Sequence, residues 1–222
     1  MERRFSFEPG QYYHVFNRGV EKRNIFLDDA DRSRFQNLLY LANGGRPIVF
    51  KLIQGLPLEK ERGATRTSII AYALMSNHFH IIAREDRDGG LSTFMSKLST
   101  SYSMYFNTKY ERSGSLLCHP FRAQHIYIDN YFRWALSYVH LNPLDIFAPR
   151  WRKKRRINAE HASDFLRSYK YSSYADYFIG ERLETKIINK EALPIRMSEI
   201  ESVQSMLEEF WDPLEDYETR TW

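Results

Sequence analysis

Two extended apolar segments separated by only two residues constrain the fold of this chain most. Thr67–Met75 and His78–Ala83 are rich in apolar and β-branched residues, and Ser76-Asn77 between them leaves room for a tight turn only. Segments joined in this way pair as an antiparallel hairpin. The chain is therefore expected to build a sheet around this hairpin.

A strand and a helix are predicted before the hairpin. Residues 11–18 are rich in aromatic and β-branched types and stop at Gly19, which indicates a first strand. Residues 28–41 have apolar side chains at helical spacing and aspartates near the N-terminal end, where the helix dipole favours anions. A weaker extended segment, residues 48–53, follows, and the charged residues 55–66 indicate a solvated loop.

The elements after the hairpin complete the pattern. Residues 89–107 predict a second helix, residues 121–128 a fourth strand, and residues 129–141 a third helix that ends before Pro143. The order β-α-β-β-α-β-α predicts an α+β, ferredoxin-like core with an antiparallel sheet and helices on one face.

The composition changes after residue 149. Six of the seven residues 150–156 are cations, residues 169–178 are rich in aromatic types, and residues 198–211 indicate an acidic helix. We therefore predict a core domain over residues 1–149 and a C-terminal appendage, basic and then acidic, over residues 150–222.

Charge is distributed unevenly along the chain. Residues 199–222 carry eight acidic side chains and one arginine, which is a net charge of −7. Because the whole chain has a net charge of +4, residues 1–198 carry a net charge of +11. A basic body attracts polyanions such as nucleic acid, although surplus lysine and arginine are also typical of a plain solvated surface.

The cellular setting follows from what the sequence lacks. A single cysteine, Cys118, excludes an internal disulfide, and neither a secretory signal nor an apolar run of about 18 residues is present. We expect a soluble protein of a reducing cytoplasm, with no membrane partner.

The histidine pair of the hairpin is the first chemical signal. Successive side chains of a strand point to opposite faces, so His78 and His80 project together while Phe79 enters the core. Neutral imidazoles bind divalent transition metals, and a site with few protein ligands leaves positions for a phosphate oxygen. Taken alone, two alternating histidines on a half-buried strand are more often structural or merely exposed than metal ligands.

Several short phrases occur in an order that resembles the single-tyrosine His-hydrophobic-His (HUH) transposases, and the REP-associated tyrosine transposases among them. The similarity covers residues 10–180. Its phrases are Tyr13-His14-Val15-Phe16-Asn17-Arg18-Gly19, Asn77-His78-Phe79-His80, Arg112-Ser113-Gly114, Phe121-Arg122, Ser137-Tyr138-Val139-His140-Leu141-Asn142-Pro143 and Tyr171-Ser172-Ser173-Tyr174.

This resemblance implies an active site. The family's nucleophile is a helix-borne tyrosine before an Asn-Pro, which matches Tyr138, and its carboxamide partner four residues on matches Asn142. Residues four apart share one helix face. The implied ligands of a divalent metal ion, Mg²⁺ or Mn²⁺, are His78, His80 and Asn142.

The resemblance also implies the chemistry. Tyr138 attacks a phosphodiester of single-stranded DNA, a 3′-hydroxyl departs, and a 5′-phosphotyrosine forms that a second 3′-hydroxyl can reverse without ATP. Other tyrosines lie outside the matching phrase: Tyr131 on the same predicted helix, and Tyr102 and Tyr105 on the second. His140 is expected to be structural or to face DNA.

Candidate DNA contacts come from two sources. Arg18 and Arg122 match basic positions of the family phrases and Arg23 lies in the adjacent loop, with salt bridges as the alternative role. The cluster after residue 149 suits backbone binding, with an aromatic ring to stack on a base, or else forms a solvated linker. Its candidates are Arg150, Trp151, Arg152, Lys153 and Lys154.

Three functions remain open from the sequence. The first is a transposase, or a domesticated descendant, that cleaves and rejoins single-stranded DNA near hairpins, as a homodimer in the bacterial nucleoid. The second is a catalytically silent regulator that binds hairpins, and the third is a metal-dependent phosphoesterase that uses activated water. Two features depart from the family: the long charged loop at residues 55–66 and the acidic tail after Ser198. The tail could act as a brake on DNA binding or pack in a dimer.

Overall fold

A computed structural model describes residues 6–127, 129–194 and 202–211 of the 222-residue chain, without the side chains of residues 129 and 130. Its strands are β1 (Tyr12–Arg18), β2 (Thr67–Leu74), β3 (His78–Glu85) and β4 (Arg122–Ile126). Its helices are α1 (Asp29–Ala42), α2 (Gly90–Lys109), α3 (Asp129–Leu141), α4 (Leu144–Phe147), α5 (Trp151–Lys154), α6 (Ala159–Ser168), α7 (Tyr174–Phe178) and α8 (Val203–Trp211).

The four strands form one antiparallel sheet in the order β2-β3-β1-β4. The predicted hairpin of β2 and β3 is confirmed, and the amide of Met75 closes its turn by donating to the His78 carbonyl at 2.8 Å. The α+β class, the order of the elements and the ferredoxin-like sheet are therefore confirmed.

Helices α1 and α2 cover one face of the sheet. Their buried Phe35 and Leu98 share a hydrophobic cluster with Phe79 of β3. Carboxylates begin both helices: the side chain of Asp28 accepts from the amide of Asp31 at 2.8 Å, and that of Glu85 accepts from the first amides of α2. Anions at helix N-termini satisfy amides that have no partner within the helix.

The opposite face is covered by α3 and α8. Ile82 of β3 and Ile70 of β2 share a second cluster with Leu136 of α3 and Leu207 of α8. The expectation of helices on one face holds for α1 and α2 and is wrong for α3. The reason is that every residue of β2 is buried, so both faces of the hairpin need a helical cover.

The outer edge of β2 is covered by the chain beyond residue 149. The amide of Leu74 donates to the carbonyl of Tyr171, and the amide of Ser173 donates to that of Tyr72. These bonds protect a sheet edge that would otherwise be open to another strand. The predicted domain boundary stays a prediction, although Leu166 of α6 lies in the same cluster as the sheet residues.

The segment before the hairpin differs from the sequence-based expectation. Residues 48–53 form no strand and contain a 3-10 turn, Phe50–Leu52. The guanidinium of Arg34 lies 3.8 Å from the centre of the Phe50 ring, so the segment packs against α1 instead of joining the sheet. The charged loop is also anchored, because Leu58 is buried and Arg62 lies over the ring of Tyr40.

None of the helices that the structure describes has both the length and the hydrophobicity needed to cross a membrane.

Helix α2 allows a test of the core with a matched control. Leu98 is fully buried, whereas Met104 on the same helix is 67% exposed. Leu98→Ala should lower the free energy of unfolding by about 2–5 kcal/mol because it leaves a cavity. Met104→Ala should change it by less than about 0.5 kcal/mol in the same urea titration. Equal effects of the two substitutions would contradict the packing described for α2.

Candidate active site

The two histidines of β3 lie on the face covered by α3. The ring centroids of His78 and His80 are 5.0 Å apart, and Phe79 between them enters the opposite cluster. Their predicted common face is thereby confirmed. His80 is fully buried, whereas His78 at the start of the strand is partly exposed.

Helix α3 places Tyr138 and Asn142 against this pair. The ring centroids of Tyr138 and His80 are 5.3 Å apart and their planes are nearly perpendicular. The amide nitrogen of Asn142 donates to the carbonyl of Tyr138 at 3.1 Å, and its side chain also hydrogen-bonds His78. One chain thus brings together all four predicted catalytic and metal-binding residues.

A third imidazole, which the sequence interpretation did not assign to the site, lies beside the pair. Nε2 of His14 on β1 and Nδ1 of His80 are 2.9 Å apart, and both rings are fully buried. The ring of His14 is also 5.7 Å from that of Tyr138. Applying the alternation of strand faces to β1, as was done for β3, would have identified this residue.

Aromatic rings and a guanidinium enclose Tyr138, whose exposed fraction is 6%. Trp134 stacks on its ring at 5.1 Å, and Phe210 of α8 lies at 6.1 Å. The guanidinium carbon of Arg152 is 4.8 Å from the ring centre. No sequence pattern indicated Phe210, because its position depends on the docking of α8.

The histidines of the site are held neutral. Burial lowers the pKa of His14 to about 3 and that of His78 to about 4, and it lowers the pKa of His80 well below the ordinary value. The positive charge of Arg152 lowers the pKa of His78 and His80 further, whereas the hydrogen bond to Asn142 opposes the shift of His78. Neutral imidazoles keep the lone pair that metal binding requires.

The donor set is compatible with a divalent metal ion. No group of three His, Cys, Asp or Glu side chains in the described part of the chain is arranged to hold a metal. The predicted third ligand is instead a carboxamide oxygen. Nδ2 of Asn142 donates to the Tyr138 carbonyl, and the bond to His78 engages Oδ1, which is the atom that would bind a cation in place of that hydrogen bond.

Two of the predicted DNA-binding arginines lie at this site. Arg18 pairs in register with His78, and its charge lowers the pKa of that histidine. Arg152 lies over Tyr138, with its Nε donating to Asp145 at 3.2 Å. Both therefore lie beside the predicted catalytic and metal-binding residues, and their contact with DNA stays a prediction.

The remaining DNA-binding candidates fall into three groups. Arg122, Arg150, Lys153 and Lys154 are exposed. Arg23 forms an ion pair with Glu21 at 3.2 Å, which is the alternative role foreseen for it. Trp151 is 1% exposed and packs 5.2 Å from Phe210, so the expectation that it is available to stack on a base is wrong for this structure.

The other candidates from the sequence have structural positions. His140 is fully buried and its Nε2 lies 2.9 Å from the hydroxyl of Ser173, so it does not face DNA. Tyr102 and Tyr105 pack with α1 and α2 on the far side of the sheet. Tyr131 shares α3 with Tyr138 and stacks on Trp134.

Fold and site together define an α+β protein in which a histidine pair on a sheet faces a helix-borne tyrosine. The sequence profile of the family described as "Transposase IS200 like" matches residues 58–144, which include both histidines, Tyr138 and Asn142. Over this segment the chain is similar to the IS200-like transposases.

A solved structure described as a REP-associated tyrosine transposase bound to a REP hairpin aligns with a TM-score of 0.48 and 14% sequence identity, covering 79% of this chain and 82% of that chain. A sequence search of curated proteins finds no significant match.

The buried histidines predict a loss of stability in acid. Burial lowers the pKa of His140 to about 3, so the unfolded chain binds more protons than the folded one below the ordinary pKa of about 6.5. Stability should be complete above that pH and should fall below it, by about 1.4 kcal/mol per pH unit for each such histidine. Urea unfolding of the metal-free protein between neutral pH and about pH 5 measures the slope.

His140→Gln is the matched variant for this measurement. This variant should reduce the slope of the unfolding free energy against pH by the amount that one histidine contributes, because one buried imidazole has been removed. An unfolding free energy that does not change over this pH range would contradict the neutral, buried state of the histidines.

Proposed function

We propose that this protein cleaves and rejoins single-stranded DNA near hairpins through a 5′-phosphotyrosine on Tyr138, with Mg²⁺ or Mn²⁺ held by His78, His80 and Asn142. One observation carries the proposal: within the segment that matches the IS200-like transposase family, the ring of Tyr138 lies 5.3 Å from that of His80.

The residues account for the steps of this reaction. The hydroxyl of Tyr138 loses its proton, its oxygen attacks phosphorus, and the 3′-oxygen of the broken strand departs and takes up a proton. Attack by a second 3′-hydroxyl reverses these changes and frees Tyr138. A divalent cation, when bound, offsets the negative charge on the phosphate.

Arg152 is suited to assist Tyr138. The guanidinium carbon of Arg152 lies 4.8 Å from the centre of the Tyr138 ring, so a phosphate that Tyr138 attacks is proposed to lie near this cation. One of its nitrogens, Nη2, is buried and has no hydrogen-bond partner among the described residues. Arginine binds phosphate oxygens through such donors, so this nitrogen is a candidate contact for the scissile phosphate.

DNA binding is proposed to involve the basic residues around the site. Arg18 lies beside the histidines, and Arg122, Arg150, Lys153 and Lys154 are exposed for contacts with the backbone. We propose DNA hairpins as the target and a homodimer as the assembly because the family resemblance implies both. The catalytic groups described here all lie within one chain, and we propose that they act in cis.

Hairpin binding without cleavage is the second candidate, and one observation favours it. Tyr138 is only 6% exposed, and Phe210 of α8 lies against its ring. On this proposal DNA reaches the tyrosine after a movement of Arg152 or α8. If α8 always covers Tyr138, the protein binds DNA and does not cut it. If α8 moves away from Tyr138, it acts as the brake on DNA binding that was predicted for the acidic tail.

The tyrosine distinguishes these functions. Tyr138→Phe should abolish the denaturation-resistant protein–DNA adduct formed with hairpin-flanked single-stranded DNA and Mn²⁺, because it removes the attacking oxygen. Tyr131→Phe, on the same helix, should retain it. The adduct is measured by its slower migration in a denaturing gel. Cleavage by Tyr138→Phe without an adduct would support the water-using phosphoesterase, and wild-type binding without cleavage would support the silent regulator.

The histidine pair should affect catalysis more than binding. His78→Ala and His80→Ala should each reduce adduct formation by at least about 100-fold, while the DNA dissociation constant changes by less than about 3-fold, because metal ligands act on the reacting phosphate. Adduct rates and DNA affinity are measured on the same samples. His161→Ala, at an exposed position on α6, is the control. Equal losses of binding and cleavage would rule out a catalytic role for the pair.

A further inference from the structure

A buried imidazole on β1 contacts one of the proposed metal ligands. Nε2 of His14 and Nδ1 of His80 are 2.9 Å apart, and their ring centroids are 5.0 Å apart with an angle of 27° between the planes. We infer that His14 is a positioning residue that fixes the ring and the tautomer of His80, so that His80 offers Nε2 to the metal ion.

The sheet sets this contact. In the pairing of β1 with β3, His80 lies opposite Phe16, and His14 lies two residues further along the same face. Diagonal neighbours of this kind are within reach of aromatic side chains. Both strands lie in the interior of the sheet and both rings are fully buried, so the imidazoles have a fixed relation.

The hydrogen bond determines which nitrogen of His80 can coordinate. A neutral imidazole carries one proton, and the nitrogen without it holds the lone pair. When His80 donates through Nδ1 to Nε2 of His14, its lone pair is on Nε2. In the opposite arrangement His14 donates, Nε2 of His80 carries the proton, and coordination there is blocked. For His80 to bind a metal ion through Nε2, Nε2 of His14 must therefore accept the hydrogen bond from Nδ1 of His80.

This role is more specific than packing. The ring of His14 also contacts Phe16 at 5.1 Å and Tyr138 at 5.7 Å, and a phenylalanine could make such contacts equally well. Only a side chain with an acceptor atom can accept a hydrogen bond from Nδ1 of His80 and so keep the proton on that nitrogen. Partners that orient a metal-binding histidine in this way typically change metal affinity by about 10–100-fold when they are removed.

The inference rests on the proposed function, because it takes His80 as a metal ligand. Two variants separate orientation from packing: His14→Phe keeps a ring without an acceptor, and His14→Gln keeps an acceptor without a ring. Mn²⁺ affinity, measured from the electron paramagnetic resonance signal of free Mn²⁺, should fall by about 10–100-fold in His14→Phe and by much less in His14→Gln. Unchanged affinity in His14→Phe, or equal losses in both, would overturn the inference.

A measurement on the wild type covers the case in which a variant fails to fold. Long-range ¹H–¹⁵N spectra of the metal-free protein, assigned with His80→Gln, report which ring nitrogen of His80 carries the proton. A proton on Nδ1 supports the inference, and a proton on Nε2 overturns it. If the wild type bound no Mn²⁺, the metal site of the proposed function would be wrong. The tautomer of His80 would still show whether His14 orients the His80 ring.

Discussion

Burial of the β2–β3 hairpin on both faces requires two layers of helices. The first layer, α1 and α2, completes the ferredoxin-like unit and packs on Phe79. The second, α3 with α8, covers the face from which His78 and His80 project. Burial of apolar side chains brings α3 to the sheet, and this packing also places Tyr138 beside the histidines. The proposed active site therefore lies at the interface between α3 and the sheet.

That location gives the site its electrostatic character. Rings packed between a sheet and a helix lose contact with water, and desolvation keeps His14, His78 and His80 neutral. Neutral imidazoles can bind a metal, yet the same burial leaves Tyr138 little exposed. A site built in this way has a fixed geometry, and its tyrosine has little contact with solvent.

The C-terminal residues belong to this arrangement more closely than their composition indicates. The basic cluster has two structural roles: Trp151 enters the core, and Arg152 lies over Tyr138. The acidic helix α8 is also amphipathic, and its Phe210 contacts the ring of Tyr138. Charge alone therefore suggested surface roles for residues whose positions depend on packing.

The sequence by itself determined the hairpin, the element order and the shared face of His78 and His80, because these depend on local spacing along the chain. It could not show that α3 lies opposite α1 and α2, since that choice depends on which strand faces need covering. The contact of His14 with His80 and the enclosure of Tyr138 by Phe210 were likewise decided by tertiary structure. They join residues 66 and 72 positions apart, and such pairings depend on strand register and helix docking.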